Sequence, residues 1–428
     1  MKVIENSKVK EKLYIEKLEN GLKIMIIPKK DIQKKYIIWG TKYGSNESTF
    51  IVPGEKEITK VPDGVAHYLE HKLFEQRTGR NSLDVLTEIG VNANAYTTND
   101  HTAYLYECTD NFYEALDEFM DYVQNPYFTD ENVEKEKGII GQEIMMYNDY
   151  PDWKVYLNAI QAMYHKYPIR IDTAGTVESI SEITKETLYK CYNTFYNPSN
   201  MTLVVAGDFE PEKILEEIKK RLLDIKGTGE IKRIYPEEPE EILRKYVEQE
   251  MEVSRPLYTI GIKDKPFRND AKQEEKVKKH IAIEILLDII LGESSSLYKK
   301  LYNDGIILDR PGMDYEFSNG YSHITIGGQA NDPKVVFELF KDEIKRLKEN
   351  GINEKEFVRL KKTIYGNYIK EYNDVADIAR MFLADDFKGI NSFEYINQIE
   401  NVDLNYANKI LNEVFDENMM VLSVVKGK

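Results

Sequence analysis

Asn418-Met419-Met420-Val421-Leu422-Ser423-Val424-Val425, near the C-terminus, repeats at an offset of 218 the pattern of Asn200-Met201-Thr202-Leu203-Val204-Val205. Each run is short, apolar and β-prone, which reads as a buried strand. An offset near half of a 428-residue chain indicates a duplicated domain rather than a short-period solenoid.

The residues before the first copy alternate between strand and helix signals. Stretches 22–27 and 36–43 read as strands, and 91–98 with 102–108 reads as a strand pair turning at Asn99-Asp100. Residues 110–124 form an amphipathic helix, with Phe112, Leu116, Phe119, Met120 and Val123 at helical spacing, stopped by Asn125-Pro126. Further helices are expected over 152–165, 185–194 and 211–223. Strands first and helices massed after them predict an α+β fold, a mainly antiparallel sheet with helices on one face. Residues 225–247, with Gly227-Thr228-Gly229 and Pro236-Glu237-Glu238-Pro239, lose periodicity and read as a linker. The pattern then restarts with a strand at 257–262 and an apolar helix at 281–291. The expected organisation is an N-terminal domain over 1–224, the linker, and a homologous domain over 248–428.

Within the first domain stands His67-Tyr68-Leu69-Glu70-His71. His67 and His71 are one helical turn apart, so both imidazoles can grip one ion, and Glu70 lies beside His71 within reach of a water on that ion. The HxxEH order reverses the HExxH zincin pattern and reads as a zinc hydrolase site. Pro62-Asp63-Gly64 gives a turn with Asp63 as candidate N-cap, and Leu69, Leu73 and Phe74 form an apolar stripe that buries the helix. At the offset of the repeat, Ile285 and Ile289 fall near the two histidine positions, so the second domain has the scaffold without the metal site.

Catalytic zinc usually takes three protein ligands and leaves one position for water. No other His or Cys is suggestively placed among 6 His and 2 Cys, so the third ligand is expected to be a carboxylate. Residues 129–147 read as a long helix, charged in its first half and apolar in its second. Glu143, amid Ile139, Ile140, Ile144 and Met146, should be buried and need a partner. Glu136 lies two turns earlier on the same face. Gly138 and Gly141 weaken a helix unless something packs closely there.

These features together resemble the pitrilysin/insulinase family of zinc metallopeptidases, which includes mitochondrial processing peptidase. The resemblance extends to Asn94-Ala95-Tyr96-Thr97, His101-Thr102-Ala103-Tyr104, His165-Lys166-Tyr167-Pro168, Gly175-Thr176, Asn200-Met201 and Ala206-Gly207-Asp208. It implies one Zn2+ per chain on His67, His71 and Glu143, with Glu70 as general base and Glu136 as a carboxylate supporting the ligands. It also implies a clamshell of two homologous domains, one of them catalytic. The implied activity is endopeptidase cleavage of peptides or unfolded segments in an enclosed cleft, with Glu70 activating a zinc-bound water. Asn94, Ala95 and Tyr96 on an edge strand are expected to pair with the substrate backbone.

One departure bears on activity. Self-sufficient family members carry an arginine and a tyrosine seven apart in the second half. Here those positions hold Tyr302 and Asp309, with Arg310 and Tyr315 nearby but out of register. The alternative reading is therefore a weakly active or non-catalytic subunit. A heterodimer with a zinc-less paralogue would supply the missing groups, and a homodimer is the other arrangement.

Composition bounds the rest. With 74 acidic and 58 basic residues the net charge is −16, which disfavours nucleic acid and anionic membranes as partners. Cys108 and Cys191 are too few for a disulfide framework and fit a reducing compartment. The N-terminal stretch is polar and no run reaches the ~18 apolar residues of a membrane span. The expected location is cytoplasmic.

Overall fold

Every residue from Met201 to Gly207 is buried, and this strand forms the middle of the first sheet. The computed structural model describes residues 1–428, which cluster into two compact units. The first unit contains β1 (Lys2–Asn6), β2 (Glu11–Lys17), β3 (Lys23–Pro28), β4 (Lys35–Thr41), β5 (Thr49–Ile51), β6 (Thr59–Lys60), β7 (Asn92–Thr97), β8 (Thr102–Cys108), β9 (Met201–Gly207) and β10 (Lys232–Arg233). The second contains β11 (Tyr246–Glu250), β12 (Leu257–Lys263), β13 (Gly312–Ser318), β14 (Tyr321–Gln329) and β15 (Met420–Lys426).

The duplication read from the sequence is present in the topology. The seven-stranded sheet runs β1-β2-β3-β9-β4-β8-β7, and the five-stranded sheet runs β11-β15-β12-β14-β13. In the first, β9 is parallel to β3 and antiparallel to β4; in the second, β15 is parallel to β11 and antiparallel to β12. The remaining pairs are antiparallel in both. The last five strands of the first sheet thus match the second sheet strand for strand. Strands β5, β6 and β10 form a small separate ribbon.

Alternation along the strands sorts the first sheet into two faces. Ile24, Ile26, Ile37, Trp39, Tyr104, Tyr106, Leu203 and Val205 join one core, which also takes in Leu69, Leu116, Phe119, Leu188 and Ile214 from the helices. The opposite face of β4 and β9 is covered by one helix, Val375–Phe387, drawn from the second half of the sequence. Reciprocally, Pro151–Met163 from the first half covers β12 and β15 of the second sheet. The first unit is therefore residues 1–144, 171–235 and 371–392, and the second 145–170, 236–370 and 393–428. The single cut expected at 225–247 differs from this because an amphipathic pattern declares an apolar face without saying which sheet receives it.

The expected linker is tied down within each unit. Asn20 donates to Ile225 O at 3.2 Å, Asn197 to Lys226 O at 3.2 Å, and Arg233 to Asn200 Oδ1 at 2.9 Å. In the second unit the Glu238 carboxylate accepts from the backbone N–H groups of His165, Lys166 and Tyr167 at 2.7–2.9 Å. No helix is long and apolar enough to cross a membrane.

Candidate metal centre

The Val65–Leu73 helix buries Val65, Ala66, Tyr68, Leu69, Lys72 and Leu73, which leaves His67, Glu70 and His71 together on the remaining face. Its start differs from expectation. The N-cap is Gly64, at φ 92°, and no side chain caps it, so Asp63 does not serve. A Cβ on Gly64 would lie 2.4 Å from Ala174 O, and one on Gly175 would lie 2.6 Å from Asp63 O. The two glycines let the backbone segments before this helix and before the Val177–Ser181 helix touch directly. Thr176 then caps the second helix with a reciprocal box to Ser179. The Gly175-Thr176 pair thereby fixes the entry of the histidine helix.

The Asp130–Asn148 helix lies alongside, anchored by Val133, Ile140 and Ile144 in the core and by a hydrogen bond from the Tyr68 hydroxyl to Val133 O. Glu136 and Glu143, two turns apart, face the histidines. Glu143 is half-buried rather than surrounded by apolar groups, because Ile139, Met145 and Met146 are themselves exposed. A Cβ on Gly138 or Gly141 would meet nothing within 4 Å, so the close packing expected there is absent.

His67 Nε2 lies 3.8 Å from Glu143 Oε1, and His71 Nε2 lies 3.5 Å from Glu143 Oε2. Ligand atoms of all three residues lie within 4.8 Å of one another, and no second group of His, Cys, Asp and Glu does the same. Tetrahedral zinc with bonds of about 2.0–2.1 Å separates its ligand atoms by roughly 3.4 Å. The donor set and its spacing therefore fit zinc closely. Both Nε2 atoms face the carboxylate. The other nitrogen of His71 is 3.1 Å from Glu136 Oε1, while His67 Nδ1 is buried with no hydrogen-bond partner.

The two histidines are shifted in opposite directions. Burial, reinforced by the nearby His71, pushes His67 down to about 3, so it is neutral at ordinary pH. Burial also acts to lower His71, but the Glu136 hydrogen bond and the charges of Glu70, Glu136 and Glu143 prevail and raise it. Burial raises the Glu70 carboxyl, partly offset by the hydrogen bond from Thr97 Oγ1 to Glu70 Oε2 at 2.6 Å.

A groove of about 430 Å³ opens beside these groups, lined among others by Glu70, His71, Phe74, Leu83, Asn94 and Glu136. Of the expected substrate-binding residues, Asn94 is brought to it. Ala95 is buried, and the Tyr96 hydroxyl lies 3.4 Å from His101 Nε2. All three sit on β7, the outer strand of the sheet, whose second edge no strand pairs. Sequence reasoning misses Lys72 and Thr97 as partners of the site. The signal for Lys72 is a charged residue on the apolar stripe of a helix. In the second unit, Arg310 donates to Asp288 at 2.6 Å, and the buried Tyr315 hydroxyl donates to Asp264 at 2.9 Å. Cys108 and Cys191 are buried free thiols.

The model of "Insulinase (Peptidase family M16)" matches residues 52–177, and that of "Peptidase M16 inactive domain" matches 182–364. The uncharacterized zinc protease YmfH of Bacillus subtilis is 40% identical, the alignment covering 99% of each chain. An M16-like peptidase of Alicyclobacillus acidocaldarius superposes with a TM-score of 0.93 at 34% identity, over 99% of this chain and 100% of that one. Cytochrome b-c1 complex subunit 1 of Mus musculus is 29% identical over 44% of this chain and 39% of its own length. With a family model on each half and a full-length relative at this identity, the chain belongs to the insulinase family of peptidases, family M16.

Proposed function

We propose that this chain is a zinc-dependent endopeptidase that cleaves peptides or unfolded segments held as an extended strand. The observation that carries the reading is the convergence of His67 Nε2, His71 Nε2 and Glu143 beside a Glu70 carboxylate held by Thr97. His67, His71 and Glu143 would hold the zinc, which when bound supplies a Lewis acid that acidifies water and polarises a carbonyl. Glu70 is not a ligand. One of its oxygens is committed to Thr97, which leaves the other to take the proton of the attacking water and return it to the leaving amine. Glu136 holds His71 through Nδ1, which fixes the tautomer and aims Nε2 inward. The free edge of β7 offers main-chain hydrogen bonds to a substrate backbone, with Asn94 at the groove. Such pairing selects extended chains rather than a particular sequence. The buried free thiols of Cys108 and Cys191 suit a reducing cytoplasm.

The test combines elemental analysis with digestion of an unstructured peptide mixture, with and without a chelator. One zinc per chain and chelator-sensitive, zinc-restored cleavage is expected. A metal-free protein under replete conditions, or cleavage indifferent to the chelator, would overturn the reading.

A second reading is favoured by the second unit. Arg310 pairs with Asp288 and the buried Tyr315 hydroxyl with Asp264, so both already have partners within the second unit. A partner chain without the zinc residues would supply the stabilisation of the developing oxyanion. Cleavage by the purified chain should then be slow and rise when proteins co-purified from the native host are restored. Full activity of the chain alone would remove the partner.

A further inference from the structure

The residue after the second histidine is a lysine, and its side chain is 1% exposed. Deep burial of an ammonium is costly unless a charge partner is fixed beside it. Lys72 has two partners. Glu75, one turn on, bonds it, but Glu75 is one-third exposed and could be satisfied by water. The other is Glu136, whose Oε2 lies 3.4 Å from Lys72 Nζ while its Oε1 is 3.1 Å from His71 Nδ1. Glu136 is only 13% exposed and so depends on the protein for its hydrogen bonds. One carboxylate thus bridges two neighbouring residues of the histidine helix, a ring nitrogen on one oxygen and an ammonium on the other.

We propose that Lys72 is a positioning residue of the metal site, holding the Glu136 carboxylate in the plane from which it orients His71. The inference rests on the zinc reading above and extends it to a side chain that touches neither metal nor substrate. A carboxylate gripped through one oxygen can rotate about its last torsion, which is a broad, soft one. Gripped through both, it presents Oε1 in a fixed direction, and the imidazole plane is set by it. His71 Nε2 is then aimed towards Glu143 before any ion arrives. A purely structural role would be filled as well by an apolar residue on this buried face, without burying a charge.

The deciding experiment is a double-variant cycle read by metal binding in the full chain. Zn2+ affinity is measured by chelator competition, and the site geometry by the visible absorption of the Co2+-substituted protein. Lys72→Met is expected to weaken Zn2+ binding about tenfold, the size typical of losing a residue that orients a ligand, and to change the Co2+ spectrum. In a Glu136→Gln background the same substitution should add almost nothing, because Lys72 acts through that carboxylate. Glu75→Gln should bind Zn2+ as the wild type does. Should Lys72→Met fail to fold, Lys72→Gln serves in the same cycle. Wild-type affinity and spectrum in the Lys72 variant would overturn the proposal, as would an equal loss with and without Glu136. A wild-type chain that binds no zinc would instead overturn the reading of the site itself.

Discussion

Gly40 of β4 and Gly261 of β12 occupy corresponding places in the two sheets, and each admits a side chain from the helix contributed by the other half of the sequence. A Cβ on Gly40 would lie 2.9 Å from Leu383 Cδ2 and from Phe387 Cε2. A Cβ on Gly261 would lie 2.8 Å from Met163 Sδ. The absence of a side chain at these two sites is what allows each crossing helix to press onto its sheet.

Alanine at either glycine should therefore destabilise, and unequally. Replacing Gly by Ala relieves unfolded-chain entropy by about 0.4–1 kcal/mol, whereas overpacking a filled core costs about 1–3 kcal/mol. At Gly40 the methyl meets a branched chain and a ring that are both buried, so overpacking prevails. At Gly261 it meets a flexible thioether that can move aside. Thermal unfolding of the two variants should show the larger fall in midpoint for Gly40→Ala. An unchanged midpoint there would mean that the helix does not seat on the glycine.

Glu70→Gln should keep the metal and lose turnover. The amide still accepts a hydrogen bond from Thr97 but cannot take a proton, and general base catalysis contributes typically about 10²–10⁴-fold. Thr97→Val, which frees the carboxylate to rotate and also removes the contact with Thr102 Oγ1, should cost less, about tenfold in kcat with little change in KM. Steady-state kinetics on a fluorogenic peptide, beside zinc content, separates these outcomes. A Glu70→Gln enzyme working at the wild-type rate would remove Glu70 from the chemistry.

How much of this is readable from sequence follows from the range of the interactions. The duplicated strand and the His67-Tyr68-Leu69-Glu70-His71 turn are legible because each is a local pattern at a fixed spacing, whereas Glu143, 72 residues after His71, is reached only through the family resemblance. The exchange of the Pro151–Met163 and Val375–Phe387 helices is not, since their partners lie in distant strands. The partners of Lys72 and Thr97 are illegible for the same reason: Glu136 is 64 residues from Lys72, and Thr97 is 27 residues from Glu70. Asp63 as a cap is a sound local inference that loses to a non-local one, because the contact between Gly64 and Ala174 sets the helix start.

Glu47 gives the fold a pH dependence with a defined sign. It is 4% exposed, accepts from Gly44 N–H at 2.7 Å and from the Tyr235 hydroxyl at 2.7 Å, and has Arg233 Nε 3.8 Å away. Burial pushes its carboxyl up to about 7 from 4.5, against the pull of Arg233 and with the push of Asp100. The folded state thus keeps this proton to higher pH than the unfolded state does. The associated stability is complete below about pH 4.5, is lost as pH rises through about 7, and amounts to something of the order of 3 kcal/mol. Glu47→Gln removes the titration, so the variant should gain on the wild type in thermal midpoint between about pH 5 and pH 8. A constant difference across that range would show that Glu47 ionises normally in the fold.

Lys263 and Glu238 should respond asymmetrically to truncation. Lys263 is 4% exposed and donates to Glu238 Oε1 at 2.7 Å, to Pro239 O at 2.7 Å and to Glu241 O at 3.1 Å. Glu238 also accepts from three successive backbone N–H groups. Lys263→Met leaves that carboxylate with its three backbone donors, so the remaining charge is still solvated by the protein. Glu238→Ala leaves a buried ammonium facing two carbonyls and the Tyr164 ring, with no carboxylate bonded to it, and strips the 165–167 turn of its acceptor. Breaking a buried pair from the side that leaves an uncompensated charge costs about 3–5 kcal/mol. Glu238→Ala should therefore lower the unfolding midpoint well beyond Lys263→Met, and adding Lys263→Met to it should recover part of the loss. Equal effects from the two single variants would mean that the backbone donors contribute nothing to holding this segment.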